Sequence, residues 1–279
     1  MKYKIVADSS TDLVPELMQN MNLEFAPLTL EVDGVRYVDD ESIDIPAYLD
    51  AANSSPIGPK SACPSPDDYL SKYKGDHEGV FVVTLSSALS ASYSTAVLAK
   101  DLLKEEDENM KVHVFDSRSA SAGQVALTLK IQDCIDAGMA FEDIVETVEK
   151  YKDEMKTVFV LEKIDHLQKA GRLSKMKLTL ANVLNIKLVL MANEEGEINL
   201  HSQARGTKKA LDKMITSFKE VGTVSSDKRC VVAYCQAKER ALKVCETIRE
   251  LYDFKEVIAV PMKGLSSNYA NVGGIVIGF

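Results

Sequence analysis

Tryptophan is absent, histidine occurs four times, and the five cysteines form no C-x-x-C pair. The first lack removes the largest aromatic surface on which a base or sugar could stack, although ten Tyr and eight Phe remain. Cys230 and Cys235 have four residues between them and the other cysteines are scattered, a spacing that fits neither a zinc ligand set nor a disulfide framework. Reduced thiols in a cytoplasmic protein are therefore expected. No apolar run reaches membrane-spanning length, and the opening MKYKIVADSS is too short an apolar stretch for a secretory signal. Positive charge is scarce too: 33 Lys and Arg against 42 Asp and Glu leave a net charge of −9, the reverse of a nucleic-acid binder's footprint. The patterns G-x-S-x-G, G-x-x-x-x-G-K-[ST] and G-x-G-x-x-G do not occur. A nucleophile elbow and a phosphate-cradling loop thus have no motif behind them.

What is present is ample core material, 46% hydrophobic residues in 279, enough for two domains of ordinary size. Strand-like runs alternate with helix-like ones through the first half: Tyr3–Ala7, then a helix over Asp12–Met21 with Pro15 in its first turn. Leu28–Val32 and Val35–Val38 flank Asp33-Gly34, a strong hairpin signal. A short helix is expected at Ile45–Ala52, and Ser54–Asp68, with four prolines, reads as a loop. Val80–Leu85 and Lys111–Phe115 are buried-strand candidates, followed by helices at Ser92–Glu106, Ser121–Ala137 (closed by Gly138) and Phe141–Met155. Further on, strands are expected at Val158–Leu161, Ile186–Met191, Ile198–Ser202, Val231–Cys235, Glu256–Val260 and Gly274–Gly278. Helices are expected near Leu178–Leu184, Gly206–Glu220 and Ala237–Leu251. The fold class is α/β in two domains: a three-layer α/β/α unit with a parallel sheet over 1–155, then a two-layer α/β unit with a mixed sheet over 156–279.

Three predicted strands end in hydroxyl-rich turns that lead into helices: Ala7–Asp12, Thr84–Ser94 and Phe115–Ser121. Ligands collect at the carboxyl ends of strands in open parallel sheets, and helix starts there offer unpaired N–H groups to an anion. Each turn alone is accounted for by helix capping. Three together, with Ser61 and Ser65 in the Pro-rich loop, point to a site built of neutral donors. Asp8, Asp12 and Asp116 fit capping better than a metal, so no metal site is expected. His77, His113, His166 and His201 read as surface or core residues. Two basic islands, Leu167–Lys177 and Ala204–Lys209, read as solvated faces, with Arg172 beside the flexible Gly171 able to reach inward and Arg205 expected to be exposed.

The series VADSSTDL, PLTLEVDGVRYVDD, SACPSPDDY, SSALSASYSTA, FDSRSASAGQVAL, HLQKAGRLSK, LANVLNIKLVL and ARGTKKAL resembles the DegV family over nearly the whole chain. The resemblance implies a long-chain fatty acid as bound ligand and no further cofactor. It also implies a non-catalytic, cytoplasmic role as the subunit that presents the acid's carboxylate to an ATP-dependent fatty acid kinase. The family's Thr-Ser-x-Pro-Ser loop matches Ser61, Ala62, Cys63, Pro64 and Ser65, which implies that Ser61 donates to the carboxylate. Its Ser-Gly-Thr/Ser-Tyr turn matches Ser90, Ala91, Ser92 and Tyr93. That implies a second clamp at Ser92 or Ser90, with backbone N–H groups at Ala91. Arg172 matches the arginine of the Gly-Gly-Arg turn and would support the hydroxyl network with Asp8, Ser119 and Tyr269, while Arg205 would face the partner kinase. The chain departs from the family at Tyr269, which stands where the family's His-x-Gly-Pro-Gly segment has histidine, and at Ala62, where a hydroxyl is lost. Two other readings follow: a relative that binds lipid without handing it over, or a small-molecule hydrolase or kinase working through the serine cluster.

Overall fold

The computed structural model describes residues 2–173 and 185–279. The first half runs β1 (Tyr3–Asp8), α1 (Pro15–Met18), β2 (Leu23–Ala26), β3 (Thr29–Val32), β4 (Val35–Val38), α2 (Ile45–Ser54), β5 (Lys60–Ala62) and α3 (Pro66–Tyr73). It continues with β6 (Gly79–Thr84), α4 (Ser92–Glu106), β7 (Lys111–Asp116), α5 (Ala122–Asp136) and α6 (Phe141–Glu154). The second half runs β8 (Thr157–Val160), α7 (Asp165–Lys169), β9 (Ile186–Ala192), β10 (Ile198–Arg205), α8 (Thr207–Thr216), α9 (Phe218–Val221) and β11 (Arg229–Tyr234). It ends with α10 (Lys238–Leu251), β12 (Glu256–Pro261), α11 (Gly264–Ala270) and β13 (Ile275–Gly278).

These elements build an α/β molecule on two main sheets. One is four-stranded and wholly parallel, in the order β2-β1-β6-β7; the other is six-stranded and mixed, in the order β10-β9-β8-β13-β11-β12. β1 and β6 are buried along their whole length, as strands covered on both faces must be. α3 and α4 cover one face of the parallel sheet, where Tyr69 and Tyr73 pack with Val80 and Val82. α5 lies between the sheets, touching β1 and β6 on one side and β11 and β13 on the other. Its flanks are buried nearly all round, which explains an apolar sequence without a clear polar stripe. α8 and α10 close the outer face of the mixed sheet, around Val158, Val232 and Ile277. A small antiparallel sheet, β4-β3-β5, lies apart from both.

Several expected boundaries moved for identifiable reasons. The helix expected over Asp12–Met21 contracts to α1, because residues 9–12 are committed to hydrogen bonds at the end of β1. The Pro-rich loop holds β5, paired to β3 through Ser61 and Leu30. It also holds the start of α3, where Ser65 and Asp68 form a capping box behind Pro66. The helix expected over Gly206–Glu220 divides at Ser217, whose hydroxyl donates to the Met214 carbonyl. β2, α7 and α11 carry no periodic signal of their own. The helix expected over Leu178–Leu184 lies outside the described residues. At the hairpin, Asp33 and Gly34 both have positive φ, the conformation of a type I′ turn.

Candidate functional site

The three serine-rich turns come together at the carboxyl end of the parallel sheet. The buried Asp8 carboxylate accepts the Leu85 N–H at 2.6 Å, Ser86 donates its N–H to the Ser119 carbonyl at 2.9 Å, and Ser121 donates to the Ser10 carbonyl at 3.1 Å. Each turn therefore satisfies part of another's backbone, which fixes their mutual position. Beside them, between the two main sheets, lies a partly enclosed cavity of about 330 Å³, within the size range of small-molecule sites. Leu28, Leu85, Phe159, Leu161, Leu167 and Leu265 give it a largely apolar wall.

Hydroxyls interrupt that wall. Ser61 Oγ and Tyr269 Oη are 2.8 Å apart on the cavity surface, one from β5 and one from α11. Ser90, Ala91 and Arg172 also face the cavity. The Arg172 Nε–H donates to the Leu89 carbonyl at 3.1 Å, and the guanidinium also reaches the Ala170 carbonyl. It thus braces the backbone turns on either side of it. Ser119 lines the cavity too, 2.6 Å from Thr157 Oγ1. Ser92 does not: it is fully buried, its N–H bonds Ser90 Oγ at 3.2 Å and its Oγ accepts from Ser90 Oγ at 3.3 Å. Of the two serines left open by the sequence, Ser90 is the one on the surface and Ser92 stands behind it. Asp8 is likewise behind the wall, and Arg205, at the end of β10, is exposed and away from the cavity.

Two carboxylates beneath the site are held in an unusual state. Burial pushes the Asp8 carboxyl up to about 6, against the opposing effect of its bonds from Leu85, Gln124 and Ser92. Burial pushes Asp12 up to about 7, again against its hydrogen bonds. Asp12 does not cap the helix that follows it in sequence. It accepts the Ser121 hydroxyl at 2.6 Å and, across the molecule, the Lys263 N–H at 2.7 Å. Asp39 accepts the next two N–H groups, from Gly264 at 2.7 Å and Leu265 at 3.1 Å. α11 thus begins on two carboxylates, a favourable pairing with N–H groups that have no partner within the helix. Its C-terminal turn brings Tyr269 to Ser61.

Ser10, Ser121, Thr157 and Ser266 are wall residues that sequence reasoning did not single out. The first two belong to the serine-rich turns and were within reach. Ser266 and Tyr269 share a face of α11 at an i, i+3 spacing, but seven residues are too few to display that period. Among the described residues no histidine lines the cavity and no group of His, Cys, Asp or Glu is placed to hold a metal. Likewise, no described helix is long and apolar enough to cross a membrane.

A family model described as an uncharacterised protein of the DegV family matches residues 2–278. A DegV domain-containing protein of Streptococcus pneumoniae is 37% identical over 281 aligned positions, covering 100% of this chain and 99% of the relative. A DegV family structure from Ruminococcus gnavus, described with vaccenic acid, superposes with a TM-score of 0.96 at 39% identity, covering 99% of both chains. The Streptococcus pneumoniae Fatty Acid Kinase (Fak) B3 protein loaded with linoleic acid superposes with a TM-score of 0.92 at 37% identity, covering 100% of this chain and 99% of that one. With whole-length agreement in both sequence and fold, the chain belongs to the DegV family.

Proposed function

We propose that this chain binds one long-chain fatty acid in the cavity between the sheets and presents its carboxylate to an ATP-dependent fatty acid kinase. The observation that carries the reading is a single cavity whose wall is largely apolar yet includes the Ser61–Tyr269 hydroxyl pair and the Ser90–Ala91 turn. Burying a hydrocarbon tail is favourable by about 0.8 kcal/mol per CH₂. The head must then be hydrogen-bonded, since an unpaired buried carboxylate is costly. In this reading Ser61, Ser90 and the Ala91 N–H donate to the carboxylate, and Tyr269 shares Ser61's hydroxyl. Ser92 and Asp8 hold Ser90 in place from behind, Arg172 braces the turn, and Ser119 supports the wall. Residues 1–155 supply the head site, residues 156–279 cover the tail, and the exposed Arg205 meets the kinase. The lipid-loaded relatives support this assignment, because they share the fold over their whole length.

The chemistry favours binding over turnover. The cavity-facing hydroxyls of Ser61 and Ser90 are bonded to other hydroxyls, those of Tyr269 and Ser92, an arrangement suited to holding a carboxylate. Native mass spectrometry of the protein should detect one bound fatty acid per chain. A protein that stays lipid-free after incubation with excess long-chain acids sinks the proposal. A second reading has its own observation: Tyr269 occupies the head cluster, hydrogen-bonded to Ser61, where the family pattern has histidine. A protein that binds lipid without hand-over would form no acyl phosphate with a cognate kinase and would gain that ability on Tyr269→His.

A further inference from the structure

Behind the head site a short run of hydroxyls leads from the cavity to a buried acid. Ser90, on the cavity wall, donates its hydroxyl to Ser92 Oγ at 3.3 Å, and the Ser92 hydroxyl in turn bonds Asp8. Ser92 and Asp8 are both fully buried. Two further bonds to Asp8 come from groups that cannot reverse their donation, the Leu85 N–H at 2.6 Å and the Gln124 amide N–H at 2.9 Å. The hydroxyls of Ser90 and Ser92 can each turn, and each has a single proton to give. In the structure both protons run inward, from the cavity wall toward Asp8.

A carboxylate in the head site reverses that demand. Ser90 must then donate outward, and the run has three links: ligand to Ser90, Ser90 to Ser92, and Ser92 to Asp8. Two hydroxyls supply only two protons. With Asp8 ionised, one link sets lone pair against lone pair in a buried place, where an unmade bond is costly. With Asp8 protonated, its own proton fills the third link and all three point toward the ligand, each strengthening the next. Burial has already raised Asp8 to about 6, so that proton is within reach near neutral pH.

Other titratable groups of this region are engaged elsewhere. Tyr69, from α3, faces Asp8 and Cys63; burial, then the charge of Asp8, holds its phenol well above the ordinary range, so it stays neutral. Asp12 and Asp39 serve the start of α11, with Lys263 facing both. Asp116, at the end of β7, bonds Ser87 and the Arg118 N–H.

Resting on the fatty-acid reading above, we infer that Asp8 is a positioning residue that takes up one proton from solvent when the acid binds, and that this proton turns Ser90 toward the carboxylate. The proton joins an Asp8 carboxylate oxygen, and no other covalent bond changes. Because the bound acid favours protonated Asp8, binding raises the Asp8 pKa further. Below about pH 6 the proton is already in place; as pH rises from there toward 8, affinity falls.

The test is calorimetric titration of the lipid-stripped full chain with cis-parinaric acid, an 18-carbon fatty acid, in phosphate and in Bis-Tris, buffers of unlike ionisation enthalpy. At about pH 6.5 the difference should report uptake of about half a proton per acid bound, and affinity should fall about threefold to tenfold between about pH 6 and pH 8. A fatty acid that binds as its anion can only release protons, so it is not the source of an uptake. Asp8→Asn keeps an N–H donor for Ser92 at every pH and should abolish both the uptake and the fall. Ser92→Ala breaks the run without touching the acid and should abolish both as well, so the question stays testable if loss of Asp8 impairs folding. No uptake by the wild type, or uptake that survives in either variant, would overturn the role given to Asp8. A wild-type chain that binds no parinaric acid at all would instead overturn the fatty-acid reading beneath it.

Discussion

Ser61 is where the smallest change should have a measurable effect. Its hydroxyl is 2.8 Å from Tyr269 Oη, so Ser61→Ala removes a donor from the head site and leaves the tyrosine without that partner. A bond to a charged group is worth about 1.5–3 kcal/mol, and fatty-acid affinity should fall by about tenfold to a hundredfold. Titration calorimetry that finds unaltered affinity would remove Ser61 from the head site. Ser92→Ala should act more weakly, through Ser90, because Ser92 is buried behind the surface. At this scale the sequence was partly readable. Residue types and turns identified the hydroxyl cluster, and Ser61, Ser90, Ser119 and Tyr269 do share one cavity. It could not say which of Ser90 and Ser92 faces inward, since that depends on the pitch of the turn before α4. Nor could it say that Asp12 serves a helix whose first bonded N–H is 251 residues away rather than its own.

Among the elements, α5 leaves little tolerance. Gly278 on β13 faces Gly123 on α5, and a Cβ on Gly278 would lie 2.7 Å from Gly123 Cα and 2.7 Å from its nitrogen. The obstacle is backbone, which cannot swing away. Gly278→Ala should therefore cost at least about 1–3 kcal/mol, the usual cost of overpacking, seen as a lower urea midpoint. A midpoint within error of wild type would mean that the helix and strand can separate without loss. Strands β1, β6 and β7 of the parallel sheet, the I′ hairpin and the long helices could be anticipated because they carry a period or a turn signature within themselves. β5, α7 and α11 could not. Each is short and takes its shape from a partner: β5 from β3, and α11 from the carboxylates of Asp12 and Asp39.

For the molecule as a whole, buried acids determine how stability varies with pH. Asp8 and Asp12 have folded-state values raised to about 6 and about 7, above those of an unfolded chain. Their protonated forms suit the interior. Their contribution is fully present below about pH 4 and is lost as pH rises through 6 and 7, on the order of 3 kcal/mol each. The melting temperature should therefore fall between pH 5 and pH 8, and Asp12→Asn should flatten that slope. A wild-type slope that survives the substitution would exclude Asp12 as its source. The same scale bears on the proposed division at Lys156. One continuous core joins Val83 and Phe115 of the parallel sheet, through Val125 and Leu129 of α5, to Val231, Ala233 and Val276 of the mixed sheet. A fragment of residues 156–279 keeps its outer helices α8 and α10 but loses α5, and with it the cover over the inner face of its sheet. Such a face is a liability in water, so the fragment should aggregate or bind a hydrophobic dye, whereas the full chain should unfold in urea as one cooperative step. Two separated transitions, or a soluble fragment with native-like near-UV circular dichroism, would show that the halves fold independently. The cavity between them would then be a seam between autonomous domains rather than a gap in a shared core.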